Sequence, residues 1–372
     1  MSKLTKYKFS DLYEMSSGIS SSKEQAGHGS PFISFSTVFN NYFLPEELPD
    51  LMDTSLKEQE IFSVKKDDVF ITRTSETVDA LAMSCVAVID YPKATFSGFV
   101  KRLRPKTTGI VYSKYIAFFL RSKYFRKVLD CNTIMTLRAS FNEDMFSFLY
   151  LYLPDYEEQV RIGDLLYKME MKIRTNNKIN DNLSAMAYDI YMHTFFPKKP
   201  NAKLKDILTE AEKSAIQVGE AKTSNGKYPF FTSGATILKW NEPFVDGRNC
   251  FLNTGGNADV KFYVGKAAYS TDTWSISAKS EMSDYLYLML FSIKPELDQK
   301  FFQGTGLKHL QKPLLKNRPI YVPEKMELEA FNRQVMPMFD IISENTRENQ
   351  QLTSLRDWLL PMLMNGQATI SD

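Results

Sequence analysis

The 372-residue sequence has no long hydrophobic run: nowhere do the roughly 18 uninterrupted apolar residues of a membrane span occur. Its first residues, "MSKLTKYKFSDLYEM", lack the apolar core of a signal peptide, so a cytoplasmic location is expected. Cysteine is scarce. Cys85, Cys131 and Cys250 lie far apart and form no CxxC, which argues against a disulfide framework or a thiolate metal site. The three histidines, His28, His193 and His309, are equally scattered, so no zinc site is expected. A G-x-S-x-G nucleophile elbow is missing, and no His/Cys or paired-carboxylate arrangement stands out. These absences favour a binding protein over an enzyme, with no cofactor.

What is present supports well-filled cores. Apolar residues make up 43% of the chain and aromatics 13%, and the length suffices for two ordinary domains. The net charge of +2 conceals a segregation along the chain. Residues 198–323 carry 18 basic against 12 acidic side chains, whereas 324–372 carry 4 against 8 and 155–197 carry 5 against 7. Within residues 1–154 the excess is local: 93–138 hold eleven basic residues and a single acid, Asp130. Residues 299–323 hold five basic residues, His309 and no acid. Such patches suit an anionic polymer, with a solvated Lys/Arg surface as the alternative.

The chain repeats itself. Aligning "FLYLYLPDYEEQV" with "NRPIYVPEKMELE" places Pro154 on Pro323, and the same offset matches Tyr152 to Tyr321, Glu158 to Glu327, Asn176 to Asn345, Asn180 to Asn349 and Leu183 to Leu352. Upstream, "SKYIAFFLRS" from Ser113 matches "SDYLYLMLFS" from Ser283. Each copy reads as a globular segment, a short strand ending in proline, and a long helix. The helices follow from spacing. Ile162, Leu166, Met169, Ile173, Asn176, Asn180, Leu183, Ala187 and Ile190 alternate steps of four and three, a heptad seam. Phe331, Val335, Met338, Ile342, Asn345, Asn349, Leu352 and Leu359 continue it in the second copy, with Arg356 at one seam site. Asp155 with Glu158 offers a capping-box start, and Pro197 and Gly366 lie where the helices should stop. Pro337 removes a helical hydrogen bond, so the second helix is expected to bend or break there. In the globular segments, "DDVFITRT", "SCVAVID", "NCFLNT" and "VKFYVG" read as strands and residues 113–129 and 284–303 as helical, a mixed α+β pattern.

Two glycine-bearing stretches imitate enzymes. "FQGTG", Phe302–Gly306, fits the F-x-G-x-G loop of many S-adenosylmethionine-dependent methyltransferases, but it follows an expected helix instead of a strand, and no Pro-Pro-Tyr/Phe motif accompanies it. A tight turn carrying Thr305, Lys308 and His309 is the plainer reading. "NTGGN", Asn253–Asn257, lacks the G-K-[ST] of a phosphate loop. "FITRTSE", Phe70–Glu76, is a strand running into a polar turn, where Thr72, Arg73 and Thr74 could meet base edges or phosphates; a structural turn with Arg73 paired to an acid is the alternative. "TLRASF", Thr136–Phe141, corresponds to "GLKHLQ", Gly306–Gln311, in the second copy, and each carries a basic residue.

Two divergent globular segments, each followed by a long helix, with "EEQVRIGDLLYKMEMKIRTNNKIN" after the first and "LTSLRDWLLPMLMNG" closing the second, resemble the specificity subunit of a type I restriction-modification enzyme. "VKKDDVFITRTSE" and "FSGFVKRLRP" are similar to its first target-recognition domain, and "YPFFTSGATI" with "GTGLKHLQKPLLKNRPIYVP" to its second. The second helix departs from the pattern, opening "PEKMELEAF" instead of a clear EEQ. The resemblance implies target-recognition domains at residues 1–154 and 198–323, and spacer helices at 155–197 and 324–372 that form a long antiparallel coiled-coil pair separating the domains, with an internal pseudo-twofold repeat. It implies a non-catalytic reader of double-stranded DNA that recruits two methyltransferase subunits, which methylate adenine, and two ATP-dependent restriction subunits. A helix of about 36 residues spans about 54 Å, enough to hold two readers a DNA turn or more apart. A coiled-coil scaffold is the rival reading, and a methyltransferase a weaker one.

On this basis the candidate DNA-contacting residues are Thr72, Arg73, Thr74, Lys101, Arg102 and Arg138 in the first domain, and Lys239, Asn253, Thr254, Thr305, Lys308 and His309 in the second. In an antiparallel pair a-type sites face d-type sites, so Asn176 should lie opposite Asn349 and Asn180 opposite Asn345, where buried amides penalise any register that sets them against leucine.

Overall fold

The computed structural model describes residues 3–20, 22–77, 80–132 and 139–370. The chain divides into two compact units, one of Met1–Met171 with Leu352–Asp372, the other of Lys172–Gln351. The longest elements are two helices, α1 (Tyr156–Thr194) and α2 (Lys325–Met364). Their first residues stand at the same offset as Pro154 and Pro323. Asp155 accepts the Glu158 amide at 2.8 Å and starts α1. Beyond the end of α2, Gly366 takes φ of 68° and the Gln367 amide reaches back to the Met362 carbonyl at 3.0 Å, a left-handed C-terminal cap. No helix among the described residues is long and apolar enough to cross a membrane.

Helix α2 passes through Pro337 without interruption, so the break that the proline could have caused does not occur. The proline costs the Arg333 carbonyl its helical donor, but Arg333 and Pro337 are both exposed on one side of the helix, where water can replace it. On the adjoining turn Arg248 donates to the Met336 carbonyl at 2.8 Å and to Asp340 at 2.7 Å, bracing the helix beside the proline.

Each unit is built on a four-stranded antiparallel sheet. In the first, β1 (Tyr13–Ser17), β2 (Val69–Thr72), β3 (Ser84–Val86) and β4 (Val100–Pro105) lie in the order β1-β4-β2-β3. In the second, β5 (Leu208–Glu210), β6 (Arg248–Asn253), β7 (Val260–Val264) and β8 (Thr273–Ala278) repeat it as β5-β8-β6-β7. A smaller sheet follows the repeat too: Ala26–Ile33 lies between an antiparallel and a parallel neighbour, as does Tyr228–Phe231.

The inner strands β2 and β6 are buried on both faces, which explains their apolar runs. Along β2, Val69 and Ile71 join Phe9, Tyr115 and Phe118 on one side, while Phe70 turns to Ile33, Phe96 and Val100 on the other. The same alternation sends Cys250 and Leu252 one way and Phe251 the other. The long helices complete these cores. Ile162 and Leu166 of α1 with Leu363 and Met364 of α2 fill the first, and Ala187 and Tyr191 of α1, Phe195 just beyond its end, and Phe331, Val335 and Phe339 of α2 fill the second. Each such side chain contributes about 1.5–3 kcal/mol relative to exposure, except the smaller alanine. Gly163 makes the docking possible: a Cβ there would meet the Tyr115 amide nitrogen at 2.8 Å.

Between the core-filling ends, the second unit pairs its stretches of α1 and α2 through amides. Asn176 donates to Asn349 Oδ1 at 2.9 Å and to Glu348 at 2.7 Å, Asn345 donates to Asn180 Oδ1 at 2.8 Å, and Asn349 donates to Asn177 Oδ1 at 2.8 Å. Partner numbers fall on one helix as they rise on the other, so the strands of this pair run antiparallel. In the first unit Arg356, at its seam site, donates to Glu170 at 2.8 Å.

Two outcomes follow from these contacts. An alanine for glycine exchange inside a helix normally gains about 1 kcal/mol; Gly163→Ala should instead lower stability by about 1–3 kcal/mol in urea unfolding, because the methyl group meets backbone. Glu348 is held below the usual carboxylate range by the hydrogen bond from Asn176 and by Lys172 at 3.2 Å. Its contribution is therefore present above the free-glutamate value of about 4.3 and disappears as pH falls through the lower folded value. Thermal melts across acid pH should show a shallower acid decline for Glu348→Gln than for the wild type.

Candidate nucleic-acid interface

In the first unit the candidate turn lies where β2 leaves the sheet. Thr72 ends the strand fully buried, its hydroxyl donating to the Ala80 carbonyl at 3.3 Å and accepting from the Met83 amide at 3.0 Å. It therefore shapes the turn and does not face outward, contrary to the expectation of a DNA contact. Arg73 follows in the exposed direction, with one long side-chain contact to the Gly98 carbonyl at 3.5 Å. Thr74 is half-buried on a two-residue strand, Thr74–Ser75, paired with Ala139–Ser140. Phe99, 65% exposed, stands across from Arg73, whose amide donates to the Phe99 carbonyl at 2.9 Å. Arg138 lies outside the described residues.

The basic stretch behind this turn does different work from that suggested by its charge. Lys101 is buried, donating to Ser17 at 2.8 Å and standing 3.6 Å from Glu143. Arg102 is buried, donates to the Ser63 carbonyl at 2.6 Å and lies over the Phe96 ring; burial, then Arg104, pulls its pKa down. Arg104 grips the buried Asp68 with two bonds of 2.7 and 2.6 Å. Arg121 donates to the carbonyls of Ser84, Val38, Phe39 and Asn41, and Arg126 to those of Leu81, Ala82 and Leu120. These guanidiniums satisfy loop carbonyls that would otherwise be buried without donors. Lys101 and Arg102, expected to touch DNA, are thus internal supports of β4.

The second unit repeats the frame. Asn253 ends β6 buried, its amide donating to the Ser233 and Asn257 carbonyls at 3.0 and 3.1 Å, so it holds the turn and does not present itself. Thr254 is half-buried, and its amide donates to the Asp272 carbonyl at 3.0 Å. Phe302–Gln303 and His309–Leu310 form a hairpin whose loop is "GTGLK". The F-x-G-x-G stretch is therefore a strand and hairpin loop, with no helix opening from it as a methyltransferase loop requires. Gly255 bridges His309, and the Leu310 amide donates to the Thr254 carbonyl at 3.0 Å, which brings Thr254 and His309 together. Thr305 and His309 are exposed; Lys308 pairs with Asp298 at 3.0 Å, a contact that holds the Asp298 carboxyl below its usual range. Lys239 sits half-buried on the strand Leu238–Trp240, away from the hairpin in the pairing order.

Beside Thr254 and His309 opens a polar cleft of about 550 Å³ that Lys213, Asp272, Trp274 and Lys312 help to line. Burial lowers the Lys312 pKa, and its ammonium lies 4.8 Å from the Trp274 ring centre. Among the described residues no group of three or more His, Cys, Asp or Glu converges as a metal site would require. Sequence reasoning did not single out Phe99 or Asp272; the register of β4 and β8 against their neighbours is what reveals them.

Residues 1–185 and 199–354 each match the family described as the type I restriction modification DNA specificity domain. The chain is 20% identical to the type I restriction enzyme MjaIX specificity subunit of Methanocaldococcus jannaschii, over 98% of this chain and 93% of that one. It is 23% identical to the HindI specificity subunit of Haemophilus influenzae, over 90% and 94% respectively. In fold it is similar to the crystal structure of a type I restriction-modification S subunit from M. genitalium, with a TM-score of 0.67, 13% identity, and coverage of 97% and 96%. With two copies of the defining domain and the duplicated sheet order that accompanies them, the chain belongs to the specificity subunits of type I restriction-modification systems.

Proposed function

We propose that this chain is the DNA-reading, non-catalytic subunit of its restriction-modification system, with residues 1–154 and 198–323 each reading one half of a bipartite duplex target. The observation that carries this reading is the duplicated strand-end frame, which carries exposed Arg73 and half-buried Thr74 in one unit, and Thr254 and His309 in the other. Base edges in the major groove are read by such short polar and guanidinium groups held on a rigid sheet, while surrounding lysines meet phosphates. Thr305 and Lys308, and Lys239 further off, belong to the phosphate-facing set in this reading. The helical regions 155–197 and 324–372, acidic in balance, would carry two methyltransferase subunits that modify adenine and two ATP-dependent restriction subunits, in the cytoplasm. A scaffold without DNA affinity explains the helices but not the duplicated frame.

Titrating the full chain with duplex DNA at several salt concentrations tests this. The logarithm of affinity should fall linearly with the logarithm of salt, with a slope of about −0.9 per phosphate contacted. An absence of salt-dependent binding would leave only the scaffold.

The amide pairs are proposed to fix the helix register and with it the spacer between half-sites. Leucine at Asn176, Asn180, Asn345 and Asn349 together should raise the melting temperature, since buried amides are exchanged for apolar packing, while allowing alternative registers. Binding to targets with spacers one or more base pairs longer or shorter should then improve relative to the wild type. Unaltered spacer selectivity would refute the register role.

A further inference from the structure

The two units hold the same backbone frame at the end of the sheet but fill it with different chemistry. In the first, Thr72 and Val100 are register partners on β2 and β4, and both are buried. The next positions outward are Arg73 and Phe99, joined by the 2.9 Å bond from the Arg73 amide to the Phe99 carbonyl, and the Arg73 carbonyl accepts the Phe141 amide at 2.8 Å. In the second, Asn253 and Thr273 are the buried register partners on β6 and β8. The next positions are Thr254 and Asp272, joined by the 3.0 Å amide-to-carbonyl bond, and the Thr254 carbonyl accepts the Leu310 amide at 3.0 Å. Position for position, Arg73 corresponds to Thr254 and Phe99 to Asp272.

Within the sheet both faces are packed, so it is by lying past the end of the strands that these next positions escape the core. Arg73, Phe99 and Asp272 are exposed and Thr254 is half-buried. Phe99 is 65% exposed, and Asp272 is exposed without an ion pair among the described residues. Each residue type has a natural match on a base edge. A guanidinium donates two parallel bonds to guanine O6 and N7, an apolar ring packs on the thymine methyl group, and a carboxylate accepts from the cytosine amino group. A carboxylate at a DNA surface is otherwise repelled by phosphate, so Asp272 requires such a donor.

Resting on the DNA-reading function proposed above, we infer that these two outward pairs are the paired base-reading positions of the subunit. Arg73 and Phe99 take a guanine beside a thymine in one half-site, and Asp272 with Thr254 takes a cytosine in the other. The difference between the pairs is what makes the target asymmetric although the frames are alike.

Selection of a bound motif from a pool of random-sequence duplexes, using the full chain, tests this. Wild type should enrich a bipartite motif with a thymine in one half and a cytosine in the other. Phe99→Ala should lose the preference at that thymine and Asp272→Ala at that cytosine, each by roughly ten- to a hundredfold, with the other half-site unchanged. Replacing the thymine by uracil, which removes only its methyl group, should weaken wild-type binding and leave Phe99→Ala unaffected. Unchanged thermal melts of both variants would verify folding, as expected for exposed side chains. An enriched motif that neither variant alters would overturn this inference alone. A wild-type pool with no motif would overturn the DNA-reading function and this inference with it.

Discussion

On the register role proposed above, the amide pairing between α1 and α2 in the second unit is the constraint from which the packing around it follows. A two-stranded coil of leucines tolerates sliding by a heptad, because each register buries similar apolar area. On the proposed register role, Asn176 against Asn349 and Asn345 against Asn180 would remove that freedom in the second unit, since a shifted helix would set an amide against an apolar side chain. The cores depend on the same register. Ala187, Tyr191 and Phe195 reach the second core together with Phe331, Val335 and Phe339, so a slip would withdraw aromatic side chains from a packed sheet. The amides cost stability locally, and the aromatic packing at the helix ends offsets that cost.

Charge in this chain divides between holding and presenting. Arg102, Arg104, Arg121 and Arg126 are spent on backbone carbonyls and Asp68, which is how a loop-rich domain satisfies its buried acceptors. Arg248 plays the equivalent part in the second unit, gripping the buried Asp284 through two bonds of 2.6 and 2.9 Å and bracing α2. The Asp284 carboxyl, fully buried, is pushed up by that burial even though Arg248 pulls it the other way. Guanidinium groups suit such places because they stay charged and donate in several directions.

This division explains what could be read from sequence and what could not. The repeat offset located both long helices, because heptad spacing and a matched proline are one-dimensional signals. Strand runs such as "VFIT" were equally visible, being apolar on both faces. The direction of a basic side chain is not a one-dimensional signal. Arg73 and Arg102 read alike in the sequence, yet one leaves the sheet at its end and the other lies over Phe96 inside it. Whether Pro337 breaks its helix is hidden for a related reason: its cost depends on whether the orphaned carbonyl faces solvent, which the sequence does not state. "FQGTG" matched a cofactor loop letter for letter, but its neighbours pair as a hairpin.

On the DNA-reading function proposed above, the duplicated frame also bears on how base preference could change while the fold stays constant. Thr72 with Val100, and Asn253 with Thr273, are buried and tie the sheet end together; changing them would disturb packing or leave polar groups unpaired. One residue further out, the backbone bonds persist but the side chains face away from the core. At those positions guanidinium, phenyl, hydroxyl and carboxylate groups are all compatible with the same hydrogen-bonded frame, as the two units themselves demonstrate. Substitutions there alter the chemistry offered to a ligand at little cost in stability. On the proposed function, a target read by two such frames would change one half at a time, with the spacing between halves left to the helices.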